Sequence, residues 1–414
     1  MGLFDSSSSS SSKTCPSITT GPQYDTPIPG TDYVVGSLTF HDLTIVLCGA
    51  FTAVTFLFSG AQLLLHATHF SNPAQQTQIL RIVALVPTFA LVYFLAGFVP
   101  SAAVYLQPWA DAYEAVALTS YFLLLVTYTV PDPQLRDGVF DRLLQPGSGE
   151  GSLKWYRRTW IFVFQYIPIS FIVAVATDIT QATGTYCVNG HGVHFAHIWL
   201  TIIHTISVMF AFLRLLQFYR RLRTELKEHR VMRKLFAIKG IVFLSTLQTF
   251  LFAILSSTGA VKPSATLSYN DFYFGIPSIL ICGEMVLFSM FNFYAYSVKP
   301  YTLSSSSSSG CGIESQASKG GARYRGGSLG IDALLAAMNP MEIARGLVLA
   351  VRYLVSSPRP QGYDNLPLRQ REAEGSPPPY MPQASNDATY QQGRAYSPNP
   401  VEYGRVDRYT PLPR

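Results

Sequence analysis

One acidic side chain stands where a carboxylate is costly to keep. Glu284 falls in the middle of the apolar run around Ile281-Cys282-Gly283-Glu284-Met285, and ionisable groups at membrane depth are expensive and usually functional. Gln165, Gln248 and His204 fall at similar depth in neighbouring apolar runs. Two uses are open for this set. Glu284 braces helices through hydrogen bonds, or it lines a solute path with Gln248, Gln165 and His204. A second constellation is His191, His194 and His197, with Asp178 across the same loop. Membrane-embedded zinc hydrolases use His and Asp ligands, so a metal site is one reading. The other is ordinary loop histidines, because His191 and His194 share a Gly-containing loop and no H-x-x-x-H pair completes a ligand set. The second is the expectation, with no metal, cofactor or catalytic residue. No G-x-x-x-x-G-K-[ST] loop occurs, which removes the standard means of ATP hydrolysis. The chain is not expected to be an enzyme.

The elements that must position these groups are membrane helices. Only 13% of the 414 residues are charged and 48% are hydrophobic, against about 25% charged in a soluble protein. Apolar runs near Leu43–Leu65, Ile79–Val99, Ala112–Val130, Thr159–Thr177, Ala196–Leu216, Phe236–Ser257 and Tyr273–Tyr296 each approach the roughly 20 residues that cross a bilayer as helix. Pro87, Pro168 and Pro277 fall inside these runs and predict kinks. Trp109, Trp155, Trp160, Trp199 and Tyr219 sit near run ends, as interfacial belts do. The serine run that opens the chain has no apolar core, so the first helix is expected to serve as insertion signal.

Charge orients the bundle. Of 30 Lys and Arg, all but Lys13 and Lys262 fall on one side of these runs, which the positive-inside rule assigns to the cytosol. The fold class expected is therefore all-α: a polytopic bundle of about seven transmembrane helices, N-terminus outside or lumenal, C-terminus cytosolic. Residues 1–41 form a disordered Ser-rich terminus and 42–302 the membrane domain. Residues 303–330 are a Ser/Gly linker, 331–355 an amphipathic helix, and 356–414 a disordered Pro- and Tyr-rich tail. Five cysteines are too few for a disulfide framework. Cys15 and Cys187 both face the oxidising side and are free to pair. Cys311, close to the membrane in the linker, is a candidate for lipidation. The basic stretch 220–239 is expected to attract inner-leaflet lipids without a specific ligand, and no nucleic-acid partner is expected.

Six short motifs occur in register. Arg81 and Pro87 frame the second run, and Tyr113-Glu114-Ala115 opens the third. Phe164-Gln165-Tyr166 lies in the fourth and Phe218-Tyr219 closes the fifth. Lys234-Leu235-Phe236-Ala237-Ile238-Lys239 enters the sixth, and Ile281-Cys282-Gly283-Glu284-Met285 lies in the seventh. In this order they resemble the organic solute transporter alpha-subunit family, including its transmembrane protein 184 branch and fungal relatives, over about residues 42–302. The segment Ile331-Asp332-Ala333-Leu334 with Asn339-Pro340 is similar to a post-membrane helix of the fungal branch. The resemblance implies passage of an amphipathic organic solute without ATP hydrolysis, and a small single-span partner subunit. The cysteine cluster of the bile-acid-transporting members is absent, so no particular solute follows. The alternative it implies is a vacuolar or endosomal scaffold that recruits cytosolic partners through its C-terminal helix and tail. A vacuolar or endosomal membrane is favoured over the plasma membrane.

The tail carries two partner motifs. Tyr363-Asp364-Asn365-Leu366 suits an autophagy modifier or an endocytic adaptor, and residues 331–355 offer the former a second surface. Pro377-Pro378-Pro379-Tyr380 matches the P-P-x-Y ligand of WW domains, since proline presets the polyproline II form that aromatic grooves take up. The partner expected there is a WW-domain ubiquitin ligase that reads Pro377, Pro378 and Tyr380. Tyr380→Ala should abolish ligase co-purification and lengthen the protein's half-life in cells; equal binding and turnover would reduce the motif to composition.

Overall fold

The structure is a computed structural model that describes residues 34, 36–143, 152–187, 193–257, 271, 275–303 and 324–355. Cys15, His191, Cys311, the Tyr363 segment and Pro377, Pro378 and Tyr380 lie outside the described residues. The described elements are helices in the order α1 (Phe40–Thr68), α2 (Pro73–Val83), α3 (Leu85–Phe98), α4 (Ala103–Thr129), α5 (Arg136–Leu143), α6 (Ser152–Phe164) and α7 (Tyr166–Ala182). There follow α8 (Ala196–Arg221), α9 (Arg223–Leu226), α10 (Val231–Ser257), α11 (Ile276–Ala295), α12 (Ile331–Met338) and α13 (Met341–Val355). The pairs α2–α3 and α6–α7 continue as bent rods, so seven stretches up to Ala295 are long and apolar enough to cross a bilayer.

Both bends trace to proline. Pro87 has no N–H to give to Val83, and α2 ends at Val83; Pro168 stands in the same relation to Phe164, the last residue of α6. Pro277, expected inside the seventh run, instead sits in the first turn of α11, where a missing N–H removes no helical bond. Helix α4 begins at Ala103, ahead of the expected Ala112, and accommodates Pro108 within it. At the start of α1, Thr39 and Asp42 form a reciprocal capping box.

Helix α4 is the axis of the bundle. From Ala117 to Val126 every residue is buried, enclosed mainly by α2, α3 and α7. Helices α1, α3 and α11 form a second tight group. Its polar contacts follow from the absence of water at this depth: Gln62 Nε2 donates to the carbonyls of Asn292 (2.9 Å) and Tyr296 (3.2 Å), and His66 Nε2 meets the Tyr296 carbonyl at 2.9 Å. Side chains of α1 thus satisfy the Tyr296 carbonyl just past the end of α11, and the Asn292 carbonyl takes its bond from Gln62 in addition to the Tyr296 N–H. By contrast, α8 and α10 expose Ile202, Phe210, Phe243 and Phe250, the apolar surface that acyl chains cover.

The bundle has two distinguishable ends. Ser71 Oγ donates to the Tyr301 carbonyl and Lys234 Nζ to Tyr128 Oη. The α1–α2 turn, the end of α4, the start of α10 and the exit from α11 are thereby gathered at one end. Most of the Lys and Arg outside the tail collect there, and we call it the basic face. The α7–α8 connection marks the opposite face, where Trp109 Nε1 donates to Asp178 Oδ2 at 2.9 Å. Cys187 in that connection is disulfide-bonded, while Cys48 and Cys282 are free, so its partner lies outside the described residues.

The stretch Ser328–Val355 is an eighth candidate span by length and composition, but its contacts keep both its ends on the basic face. Gly330, at φ 81° in the left-handed region that glycine tolerates, sits against Ala67 at the end of α1. At the other end, Tyr353 Oη donates to Asp137 in α5, which follows α4. Between them Pro340 forces Asn339 into an extended conformation (ψ 115°) and ends α12. Asn339 Oδ1 then accepts the Met341 N–H and starts α13. The result is a two-helix wedge rather than a crossing.

Arg81, only 4% exposed, anchors the wedge. Its Nε donates to the Ala337 carbonyl (2.8 Å), Nη2 to the Asn339 carbonyl (2.8 Å), and Nη1 to Gln78 Oε1 (3.2 Å) and Glu342 Oε2 (3.0 Å). The guanidinium therefore caps the C-terminus of α12 and pairs with the first turn of α13, while Trp160 Nε1 donates to the Gly346 carbonyl. A Cβ at Gly346 would run into the Phe164 ring. Arg81→Gln removes at least one charged hydrogen bond, worth about 1.5–3 kcal/mol. It should speed tryptic cleavage at Arg345 and Arg352 in the folded protein by about tenfold or more. Cleavage at the native rate would show that the wedge is held without Arg81.

Candidate functional site

The four polar residues singled out in the sequence fall into two separate groups. Gln248 of α10 donates directly to Glu284 Oε1 of α11, while Glu284 Oε2 and Gln248 Oε1 have no hydrogen-bond partner among the described residues. Gln165 sits at the α6–α7 bend, where Pro168 has interrupted the ladder. Its Nε2 donates to the carbonyls of Phe162 and Ser207 (3.1 Å each), and Ser207 Oγ returns a bond to Gln165 Oε1 at 3.0 Å. His204, one turn away on α8, lies 5.7 Å from Tyr166 between ring centroids, with Nε2 unpartnered. Buried side-chain polar atoms without partners are uncommon in native proteins. Among the described residues such atoms are spread over most of the bundle, from Thr55, Ser59, Gln62 and His66 of α1 to Glu284 and Asn292 of α11.

A charge pair that sequence reading passed over lies between these groups. Glu114 of α4, 1% exposed, forms an ion pair with Lys239 of α10. Tyr166 Oη donates to the second oxygen of Glu114 at 3.2 Å, and the Lys239 ammonium lies 5.8 Å from the Tyr166 ring and 5.7 Å from that of Phe212. Lys239 is eight residues into α10, roughly 12 Å along the helix. Both residues belong to the motifs Tyr113-Glu114-Ala115 and Lys234–Lys239. The missing signal was depth: a cation near the end of an apolar run reads as interfacial unless a partner is known.

A cavity of about 140 Å³ enters from the opposite face between α4, α7 and α8, with Asp111, Ser170, Tyr186 and His204 among its walls. Asp111 is three residues from Glu114 on the same face of α4, and Ser170 is four residues from Tyr166. The ion pair thus lies about one turn below the cavity's inner wall. Beneath it the buried stretch of α4 closes the interior. A second depression of about 310 Å³ lies on the flank of α6–α8, with apolar walls of Phe162, Ile169, Ile203 and Phe210 and the Gln165–Ser207 clasp beside them. Among the described residues no three His, Cys, Asp or Glu side chains come together to hold a metal. His194 is exposed and His197 packs edge-on against Tyr186.

Removing one member of a buried pair leaves an uncompensated charge and costs about 3–5 kcal/mol, whereas removing both costs less. Glu114→Gln and Lys239→Met should each lower the amount of folded protein recovered in detergent and its melting temperature, and the double variant should recover part of the loss. Additive losses would show that the two charges do not depend on one another.

Comparison with known proteins places this arrangement. The sequence profile of the family described as organic solute transporter Ostalpha matches residues 44–301. A transmembrane protein 184 homolog of Dictyostelium discoideum is 26% identical over 280 residues, 64% of this chain and 54% of the relative. Vacuole membrane protein hfl11 of Schizosaccharomyces pombe is 24% identical over 275 residues, 62% of each chain. Protein LAZ1 of Arabidopsis thaliana is 26% identical over 282 residues, 62% of this chain and 58% of the relative. The chain therefore matches less than two thirds of the length of these curated relatives. No solved structure matches it. From Thr44 in the capped first helix to Tyr301 beyond the seventh, this multi-pass membrane protein belongs to the organic solute transporter Ostalpha family.

Proposed function

We propose that the bundle carries an amphipathic organic solute across the membrane without ATP hydrolysis, with the basic face in the cytosol. The observation that carries this reading is the Glu114–Lys239 pair beneath a polar-walled cavity. A buried pair is weak evidence for stability, since apolar residues of similar volume serve packing as well or better. A pair set within reach of a cavity has chemical use, because it offers a polar solute both a carboxylate and an ammonium. The apolar depression beside Gln165 and Ser207 suits the other half of an amphipathic molecule. Glu284 and Gln248, with one open oxygen each, add hydrogen-bonding capacity across α10 and α11. The name of the fission-yeast relative supports a vacuolar membrane for this chain as well.

A second reading, a membrane scaffold, has its own observation. The wedge turns Leu335, Met338, Val351 and Leu354 outward, a surface that either lipid or a cytosolic partner covers. Solute profiling of sealed vesicles with and without the protein separates the two readings. Under the transport reading at least one amphipathic solute should equilibrate faster with the protein present. Glu284→Gln should slow that flux by about tenfold, the worth of one charged hydrogen bond, at normal abundance. Equal solute profiles would remove transport and leave the scaffold, and unchanged flux in Glu284→Gln would remove its charge from the mechanism.

A further inference from the structure

The basic face holds a cavity of about 490 Å³ between the starts of α2 and α10 and the ends of α4 and α11. That volume falls in the range of small-molecule sites. Its walls carry four cations, Arg230, Arg233, Lys234 and Lys299, against a single carboxylate, Glu228. None of the four forms an ion pair among the described residues, although Arg81, Arg157 and Lys239 elsewhere in the bundle all do. Lys234 is held by aromatic groups instead: its ammonium donates to Tyr128 Oη at 2.6 Å and lies 4.5 Å from the centre of that ring. Arg233 stacks 4.2 Å over the Tyr294 ring, and its Nε is buried without a hydrogen-bond partner.

The backbone that delivers these side chains is strained. Arg230 adopts φ 47°, ψ 45°, the left-handed region that non-glycine residues avoid. Such strain persists where surrounding structure enforces it, commonly at binding sites. The enforcing contacts are visible. His229 stacks on Tyr128 with ring centroids 3.9 Å apart and planes within 1°, while Tyr121 Oη and Tyr296 Oη donate to the carbonyls of Val231 and Lys234. Burial, reinforced by nearby Lys234, holds the pKa of the His229 imidazole below its ordinary value.

Four cations against one carboxylate, none of them ion-paired among the described residues, suit a ligand with several negative charges on a compact body. Phosphate monoesters fit that description, since guanidinium and ammonium groups both bind phosphate oxygens through charge-assisted bonds. We infer that this cavity binds a multiply phosphorylated polyol, an inositol phosphate, presented either as the headgroup of a membrane lipid or as a free molecule. Two phosphates on one ring would engage Arg233 with Lys234 at the inner wall and Arg230 with Lys299 at the rim. Attraction of anionic lipids by the whole stretch 220–239 needs no cavity, so position rather than charge count distinguishes the two ideas.

The test uses the purified full-length protein in phosphatidylcholine nanodiscs, with binding read by native mass spectrometry and by competition. The probes are a bisphosphorylated phosphatidylinositol, free inositol hexakisphosphate and phosphatidylserine. Either phosphorylated probe should bind at least tenfold tighter than phosphatidylserine. Arg233→Gln with Lys234→Gln should weaken it by about tenfold per lost contact, as should Lys299→Gln, whose exposed side chain spares the fold. Arg220→Gln with Arg223→Gln removes two exposed cations of the same stretch away from the cavity and should change binding less than twofold. Displacement of the lipid by free inositol phosphate would identify a shared site open to the soluble form; retention against it would identify the lipid. Equal loss in the cavity and surface variants, or no preference over phosphatidylserine, would overturn the assignment.

Discussion

A guanidinium buried in a membrane bundle finds little water, so its donors turn to acceptors of the protein. That constraint at Arg81 organises much of this structure. Two of its bonds go to the carbonyls of Ala337 and Asn339, which the end of α12 leaves unpaired. Arg81 and α12 therefore solve each other's problem: the cation needs acceptors and the helix end needs donors. Glu342 and Gln78 take the two Nη1 hydrogens, so four of the five guanidinium N–H groups are met. The wedge is thus an integral part of the bundle's polar accounting, and its position fixes which surface of α13 remains outward.

The same scarcity of water shapes the interior. Helix α4 is buried throughout Ala117–Val126, and polar side chains at its margins pair across helices. Glu114 with Lys239 and Gln165 with Ser207 are satisfied, whereas Glu284, Gln248 and His204 keep open atoms. Lys234 and Lys239 stand five residues apart on α10, one facing the basic cavity and the other the buried pair. A shift of that helix would alter both sites together, and such coupling acts equally in both directions.

Much of the fold could be read from sequence because the bilayer imposes a length and forbids unpaired backbone. The seven runs stand out as apolar stretches, and the proline kinks at Pro87 and Pro168 follow from the lost N–H. Other features depend on partners distant in sequence. Pro277 was misplaced because the true start of α11 lies at Ile276. Gln165 was placed at interior depth, but its clasp with Ser207 depends on how α7 and α8 rotate against each other. Glu114 and Lys239, 125 residues apart, stand in separate motifs, and nothing in their spacing pairs them. The post-membrane segment displayed its amphipathic spacing, whereas its break at Asn339 and its grip on Arg81 required three-dimensional contact. His204 and Gln248 were legible as polar residues in apolar runs, but not as members of different clusters.

The contact between Arg81 and Glu342 spans 261 residues, and that separation sets an order of events during synthesis. Membrane helices insert one after another, so Arg81 enters its span long before any acceptor from α12 exists. Until residues 337–342 emerge, the second helix carries a cation that the bilayer penalises. The nascent bundle must therefore leave that helix close to the interface or shielded by another factor. Completion of the wedge then ends the exposure, so α12 and α13 report whether the earlier helices have assembled. A chain truncated before residue 337 would carry its full set of seven spans and still display an unmet charge, a signal by which a cell's quality control can separate finished molecules from unfinished ones.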